Sequence, residues 1–435
     1  MSSRSGTAEA SIGVASRTLD NGLRVTVSPT PGLGVVAVNL WYGVGSRHEQ
    51  QHRQGFAHLF EHLMFQGSRH VKPGEHFARI QGIGGMLNAT TSFDRTNYFE
   101  VVPAGALDLA LWLEADRMAY LDDVITQENF ATQVAVVGAE RSQRMDNVPY
   151  GRAFEDLLPL VFPADHPYGH LPIGNMAHLA AATLDEVSAF HGRFYLPNNA
   201  VLSIVGDVPE ETAFSRAEHF LGDIAPGDAP KRELPDPLPP LEGAVVAELG
   251  EDVPAPAVWF AGRLPADQAG SRELAAVEIA AAILGDGETS RMHRRLVRTD
   301  ETALSAGFGI NTLVAGNSLG AASVRGVPGV DLGRIADVVE EIIGGLASIG
   351  PTELELEIAR AQAERSWLDD MSTAGGRADG LSGCAMLYDD PQVINERLSV
   401  LHSLTDAEVR DAAATWLAPM LKAQLRIHPN QAAGA

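Results

Sequence analysis

Five prolines between Pro230 and Pro240, within the run from Ala225 to Gly243, divide this chain into two segments of about two hundred residues each. Proline locks φ and donates no backbone hydrogen bond, so no helix or central strand can run through such a stretch. It reads as an extended, semi-rigid connector. The expected organisation is a first domain at 1–228, a connector at 229–243 and a second domain at 244–435. Both segments open with β-rich sequence, at 23–42 and 245–260, and continue into Ala/Leu-rich helical sequence at 107–119 and 271–284. Both close on a helix and a strand, at 187–205 and 406–427. This is an internal duplication visible in element order more than in identity.

The first segment carries His58-Leu-Phe-Glu61-His62, an H-x-x-E-H pattern, the inverse of the commoner zinc-protease order. No proline interrupts residues 55–66, and Phe56, Leu59, Phe60, Leu63 and Met64 form an apolar stripe at helical spacing. Gly67 sits where a helix C-cap glycine is expected. On that helix His58 and His62 are i and i+4, with Cβ atoms roughly 5–6 Å apart, so both imidazoles can meet one metal ion. Glu61 points to nearly the same side, able to touch a water without being a ligand. Two core histidines beside an incidental glutamate would produce the same five letters, and the surroundings decide between the readings.

Those surroundings are Gly45-Ser-Arg-His-Glu49 and Gly55-Phe-Ala-His58-Leu-Phe-Glu61-His62-Leu-Met-Phe65-Gln-Gly67-Ser68. They continue at Gly84-Gly-Met-Leu-Asn88-Ala89-Thr-Thr-Ser-Phe-Asp-Arg-Thr96-Asn-Tyr98-Phe99 and at Glu140-Arg-Ser-Gln-Arg-Met-Asp-Asn147-Val-Pro149-Tyr-Gly151. His166-Pro-Tyr-Gly-His170 and Phe194-Tyr-Leu-Pro197-Asn-Asn199-Ala complete the series. In this order the blocks resemble the pitrilysin/insulin-degrading enzyme family of inverzincin zinc metallopeptidases, which includes the mitochondrial processing peptidase and bacterial two-subunit peptidases. The resemblance implies an α+β fold of two homologous domains, each a mostly antiparallel sheet packed with helices, together forming half of a clam-shell chamber.

It also implies a cofactor, one Zn²⁺ per chain. Catalytic zinc sites use three protein ligands and an open position, so a third ligand must join His58 and His62. Glu140, 78 positions after His62 and on a segment able to be helical from Gln127 to Arg144, matches the family's distal glutamate. The spacing is slightly longer than usual, which a loop between helices absorbs. Glu114 is the competing carboxylate, and a solvent-facing or ion-paired role suits it better. Some relatives carry a second glutamate where this chain has Gln133, which cannot be a general base. Glu61 is the catalytic residue, taking a proton from water and handing it to the leaving amine.

Asn88 and Ala89 lie on a β-prone segment after a glycine turn. In the family this is the edge strand to which a peptide substrate adds. Active relatives also use an arginine and a tyrosine from the homologous half or a partner subunit. Arg298 fits the arginine, but Ser305, seven positions on, stands at the tyrosine position. Tyr388 lies too far along the chain to replace it. The chain therefore reads as the zinc-bearing member of a heterodimer whose partner supplies the arginine–tyrosine pair. A self-sufficient homodimer and a non-catalytic scaffold subunit are the alternatives. Scaffold relatives commonly have eroded zinc motifs, whereas all four metal-site residues are present here.

Composition is that of an ordinary globular enzyme, 45% hydrophobic and 20% charged over 435 residues. A net charge of −24 argues against nucleic-acid binding. Outer-surface solubility explains that charge more simply than an acidic chamber. Absence of a long apolar run argues against a membrane span, and residues 1–16 show no apolar signal core. Cys384, the single cysteine, excludes an internal disulfide. It reads as a buried small residue in a reducing, cytoplasmic setting.

Overall fold

The computed structural model describes residues 11–231, 234–239 and 241–430. The first ten residues, part of the stretch searched for a signal, and Arg232, Glu233 and Pro240 of the connector lie outside the described residues. The described connector residues from 225 to 242 carry no helix or strand.

The first sheet contains β1 (Ala15–Thr18), β2 (Arg24–Pro29), β3 (Val35–Tyr42), β4 (Met86–Thr91), β5 (Thr96–Pro103) and β6 (Ala200–Gly206), ordered β1-β2-β6-β3-β5-β4. The second contains β7 (Val245–Glu251), β8 (Ala257–Pro265), β9 (Ala303–Asn311), β10 (Asn317–Gly326) and β11 (Ala423–Pro429), ordered β7-β11-β8-β10-β9. Leaving β1 aside, the orders are the same. In each half the opening strand pairs parallel with the closing strand, β2 with β6 and β7 with β11. All other pairings are antiparallel. The fold is α+β, and the duplication that the sequence shows only as an order of elements is explicit in the strand topology.

The helices that build the site are α1 (Phe56–Leu63), α2 (Glu75–Gly82), α3 (Leu107–Tyr120), α4 (Gln127–Arg141) and α5 (Ala153–Val161). Period-two alternation along the strands decides which face each residue serves. Val36, Val38, Leu40 and Tyr42 of β3 join Leu59, Phe60 and Leu63 of α1 in the first core. The intervening Ala37 and Trp41 face the other way and meet Ala374, Leu381, Ala385 and Met386 of the helix Ala374–Tyr388. That helix belongs to the second half of the chain. In return α5, from the first half, packs Leu157, Leu158 and Val161 against Ala261, Leu425 and Ile427 of the second sheet. Each half thus covers a face of the other's sheet.

The two covers differ in chemistry. The α5 contact is mainly apolar, with Arg263 donating to Val161 O at the helix end, whereas the contact made by Ala374–Tyr388 is threaded by side-chain hydrogen bonds. Asp379 Oδ1 accepts from Asn39 Nδ2 at 3.1 Å, Trp41 Nε1 at 3.0 Å and Asn97 Nδ2 at 3.1 Å. Ser382 Oγ donates to Ser203 Oγ at 2.7 Å. Cys384 lies half-buried on this helix; burial pushes its thiol up to about 12, the behaviour of a packing residue rather than a nucleophile.

One local expectation is corrected. α1 ends at Leu63 with Met64 as C-cap, so Gly67 is not the cap. It still has a positive φ of 101°, and a Cβ there would lie 2.6 Å from Val71 O, because the chain doubles back into a Ser68–Val71 bridge.

Replacing Asp379 with alanine strands Asn39 Nδ2 and Trp41 Nε1 on residues 5% exposed or less and leaves Asn97 Nδ2 with only its bond to Asn39 Oδ1. Asp379→Ala should lower the unfolding free energy by about 3 kcal/mol, read by denaturant titration followed by Trp fluorescence and far-UV circular dichroism.

Candidate metal centre

The structure brings His58, His62 and Glu140 together. His58 Nε2 and His62 Nε2 lie 3.5 and 3.3 Å from Glu140 Oε2, and the three groups' potential ligand atoms fall within 4.8 Å of one another. The imidazoles are nearly perpendicular, at 84°. These separations are longer than a good N–H···O hydrogen bond. They match the donor spacing of a tetrahedral zinc site, about 3.3 Å for bonds of roughly 2.05 Å. Burial, reinforced by His62, pushes His58 down to about 4 against the pull of Glu140, so its ring is neutral at physiological pH, as a ligand must be.

Several elements hold these groups. α1 displays both histidines on the side away from the Leu59–Phe60–Leu63 stripe. Tyr98 OH of β5 donates to Phe60 O at 3.2 Å, pinning the helix to the sheet. Glu140 comes from the last turn of α4, with buried Gln133 and Val137 on its inward face. Arg144 Nη1 holds the second oxygen, Oε1, at 2.6 Å. Directly after Arg141 the helix widens into a π-helical stretch, Ser142–Asp146, a form that recurs at functional sites. Tyr150 follows with φ 62° and ties this segment to the second half by donating to Ala255 O at 2.6 Å.

Glu61 lies beside the ligands. Burial pushes its carboxyl up, and the hydrogen bond from Thr91 Oγ1 to Oε2, at 2.7 Å, opposes this. Thr91 is the last residue of β4, so the strand expected to receive a peptide ends at the general-base candidate. β4 is the sheet edge, paired only with β5. Asn88 is exposed on it, whereas Ala89 faces the core at 4% exposure.

Arg298 and Ser305 are elsewhere. Arg298 lies in the second half, on the π-helical stretch His293–Thr299, and its ion pair is with Glu288. Among the described residues its hydrogen bond and ion pair are with Glu288, not with the histidine cluster. Ser305 is on β9, where its Oγ accepts from Arg325 Nε at 3.3 Å. Thr91 and Arg144 lie inside the motif blocks, but nothing in their spacing announces a contact with Glu61 or Glu140.

Glu114 is ion-paired, as expected, but not solvent-facing. It is fully buried with Glu100 and His76 in a second acidic cluster. His76 Nε2 is 3.4 Å from Glu100 Oε1, and Arg117 bridges both carboxylates from beneath the Tyr98 ring, 4.2 Å from its centroid. Burial drives Glu114 well up and His76 down to about 3. Arg117 supplies the cation of this cluster.

The description "Insulinase (Peptidase family M16)" matches residues 24–158, and "Peptidase M16 inactive domain" matches residues 181–363. The zinc protease PqqE of Helicobacter pylori is 29% identical over 384 residues, covering 87% of this chain and 84% of that protein. The chain belongs to the M16 peptidase family. A crystal structure of a Helicobacter pylori protease superposes with a TM-score of 0.88 at 26% identity, covering 97% of this chain and all of that one. A Pseudomonas fluorescens M16 inactive-domain structure superposes at 0.85 with 17% identity, covering 98% of this chain and 99% of that one, a likeness of fold. Within the M16 matches, His58, Glu61, His62 and Glu140 all fall in the insulinase segment. The inactive-domain match runs from the last part of the first half into the second and includes Arg298 and Ser305.

The two acidic clusters should separate experimentally. Arg117→Met leaves two buried carboxylates without their cation and should cost about 3–5 kcal/mol of stability. Zinc bound per folded chain, measured by elemental analysis, should not change.

Proposed function

We propose that this chain is the catalytic, zinc-bearing subunit of a metalloendopeptidase that hydrolyses unfolded peptides inside a closed two-part chamber. The observation that carries the reading is the convergence of His58, His62 and Glu140 with Glu61 at the end of an open edge strand. His58, His62 and Glu140 would hold a Zn²⁺, which would lower the pKa of a water from about 15.7 to about 7 and polarise a peptide carbonyl. Thr91 donates to Glu61 Oε2, so Oε1 is the oxygen that would act on such a water. Glu61 accepts the water's proton and later delivers it to the leaving amine. Arg144 holds Glu140 so that Oε2 stays turned to the histidines.

An extended peptide laid along β4 would satisfy the strand's free backbone groups, with Asn88 reaching its side. A folded protein offers no such backbone, so the preference is for unfolded chains of modest length. The scaffold alternative loses support because the complete donor set is assembled here.

The partner reading rests on Arg298 and Ser305. Arg298 is engaged with Glu288, and Ser305 is too short to act as a tyrosine and already accepts from Arg325. The arginine–tyrosine pair that steadies the oxyanion then comes from a homologous subunit, making the enzyme a heterodimer. A homodimer would need another donor.

The purified protein should carry about one zinc per chain. Glu140→Gln should weaken retention against a chelator, whereas Glu61→Gln should keep the metal and lose about 10²–10⁴-fold in peptide turnover. Wild-type turnover by Glu61→Gln would sink the mechanism.

At equal zinc loading, the chain alone should cleave about 10²–10³-fold more slowly than when mixed with a related subunit carrying the pair. Full activity from the chain alone, unchanged by such a subunit, would leave the homodimer.

A further inference from the structure

Two motif blocks, ending at Glu49 and His170, have no role in the chemistry above, yet they meet. Their side chains are 121 residues apart in sequence and 2.9 Å apart in space, His170 Nε2 to Glu49 Oε2. Glu49 is completely enclosed, and its partner ring is 13% exposed. Its carboxylate is spent on the start of α1: Gly55 N–H donates to Oε2 and Ala57 N–H to Oε1, each at 2.8 Å. Ala57 is the residue before His58. Gly55, the N-cap, has φ 102° and no side chain to offer, so Glu49 does the capping from outside the helix. A carboxylate there also faces the positive end of the helix dipole.

The loop that carries His170 touches both ligand-bearing helices. At α1, Gly174 packs so closely that a Cβ on it would lie 2.2 Å from Gly55 Cα, and Asn175 N–H donates to Gln54 O. At α4, Arg141, the neighbour of Glu140, makes a long, weak contact to Gly174 O at 3.5 Å and is held by Glu155 Oε2 at 2.6 Å. One loop therefore registers the helix of His58 and His62 against the helix of Glu140.

We propose that Glu49, oriented by His170, is a positioning residue that sets His58 in register with Glu140 for metal binding. This rests on the zinc reading above. An enclosed carboxylate with three donors is costly to bury for helix capping alone, since a Ser, Thr, Asp or Asn at the N-cap does that locally. What the distant carboxylate adds is a link from the helix start to the loop that also contacts α4. The outer partners of metal ligands typically matter at the level of 10–100-fold in affinity or activity.

The test compares Glu49→Gln and His170→Gln with the wild type and with Leu346→Ala, a buried core change in the second half. Zinc affinity is measured by competition with a chromogenic chelator, ligand geometry by the visible spectrum of the Co²⁺-substituted protein, and catalysis as separate kcat and KM. Glu49→Gln should weaken zinc binding about 10–100-fold, alter the cobalt spectrum and lower kcat with KM unchanged. His170→Gln should do the same to a smaller degree, and it carries the test if Glu49→Gln does not fold. Leu346→Ala should lower the melting temperature while leaving affinity and spectrum as in the wild type. Wild-type affinity and spectrum in the folded Gln variants would overturn the inference while leaving the peptidase reading intact. Wild-type protein that takes up no zinc would overturn both.

Discussion

The reciprocal helix exchange between the two sheets is the constraint on which the rest of the molecule depends. Ala374–Tyr388 covers the back of the first sheet, and α5 covers a face of the second. α5 begins a few residues after the π-helical stretch that follows Glu140, and Arg263 Nε donates to Val161 O at its C-terminal end, at 2.8 Å. The second half therefore anchors the segment that follows Glu140. Tyr150, bonded to Ala255 on both its oxygen's donor and acceptor sides, is a second anchor on that segment. A site built wholly from first-half residues is held in shape by contacts to the second.

The candidate metal centre is polar and lies at the edge of that frame. His58, His62 and Glu140 are not on the sheets; they project from one short helix and the end of one long one. α1 has only eight residues, too short to be stable on its own. Its apolar stripe buries Leu59, Phe60 and Leu63 fully, Tyr98 holds its carbonyl, and Glu49 caps its start. Rigidity of this kind suits a group whose role is to hold two imidazoles at fixed spacing from a carboxylate on a different helix.

Two acidic constellations in one domain illustrate how environment assigns role. His58, His62 and Glu140 are partly open to solvent, and their one cation partner, the exposed Arg144, sits on Glu140 Oε1, away from the oxygen that the histidines face. His76, Glu100 and Glu114 are fully enclosed and built around Arg117. The first arrangement leaves room for a divalent ion, and the second is already neutralised from within. Residue types alone do not distinguish them, since each offers histidine and glutamate at reachable spacing.

Much of this was legible in the chain itself. The i, i+4 histidines, the i+3 glutamate and the apolar stripe are local, so helical periodicity suffices to place them on one face. The two-part layout is legible because proline-rich sequence cannot continue a helix or a central strand. The assignment of Glu140 over Glu114 came from a motif, and the structure accounts for it by burying Glu114 against Arg117. Tertiary structure alone decided the rest. Whether a strand's second face meets water or a helix cannot be read from alternation, and the covering helix Ala374–Tyr388 holds Gly375, Gly376, Gly380 and Gly383, weak helix formers sustained by packing. The Glu49–His170 contact spans 121 residues, and no periodic signal reaches that far. Local periodicity determines which side chains share a helix face. Only the folded chain determines which faces meet.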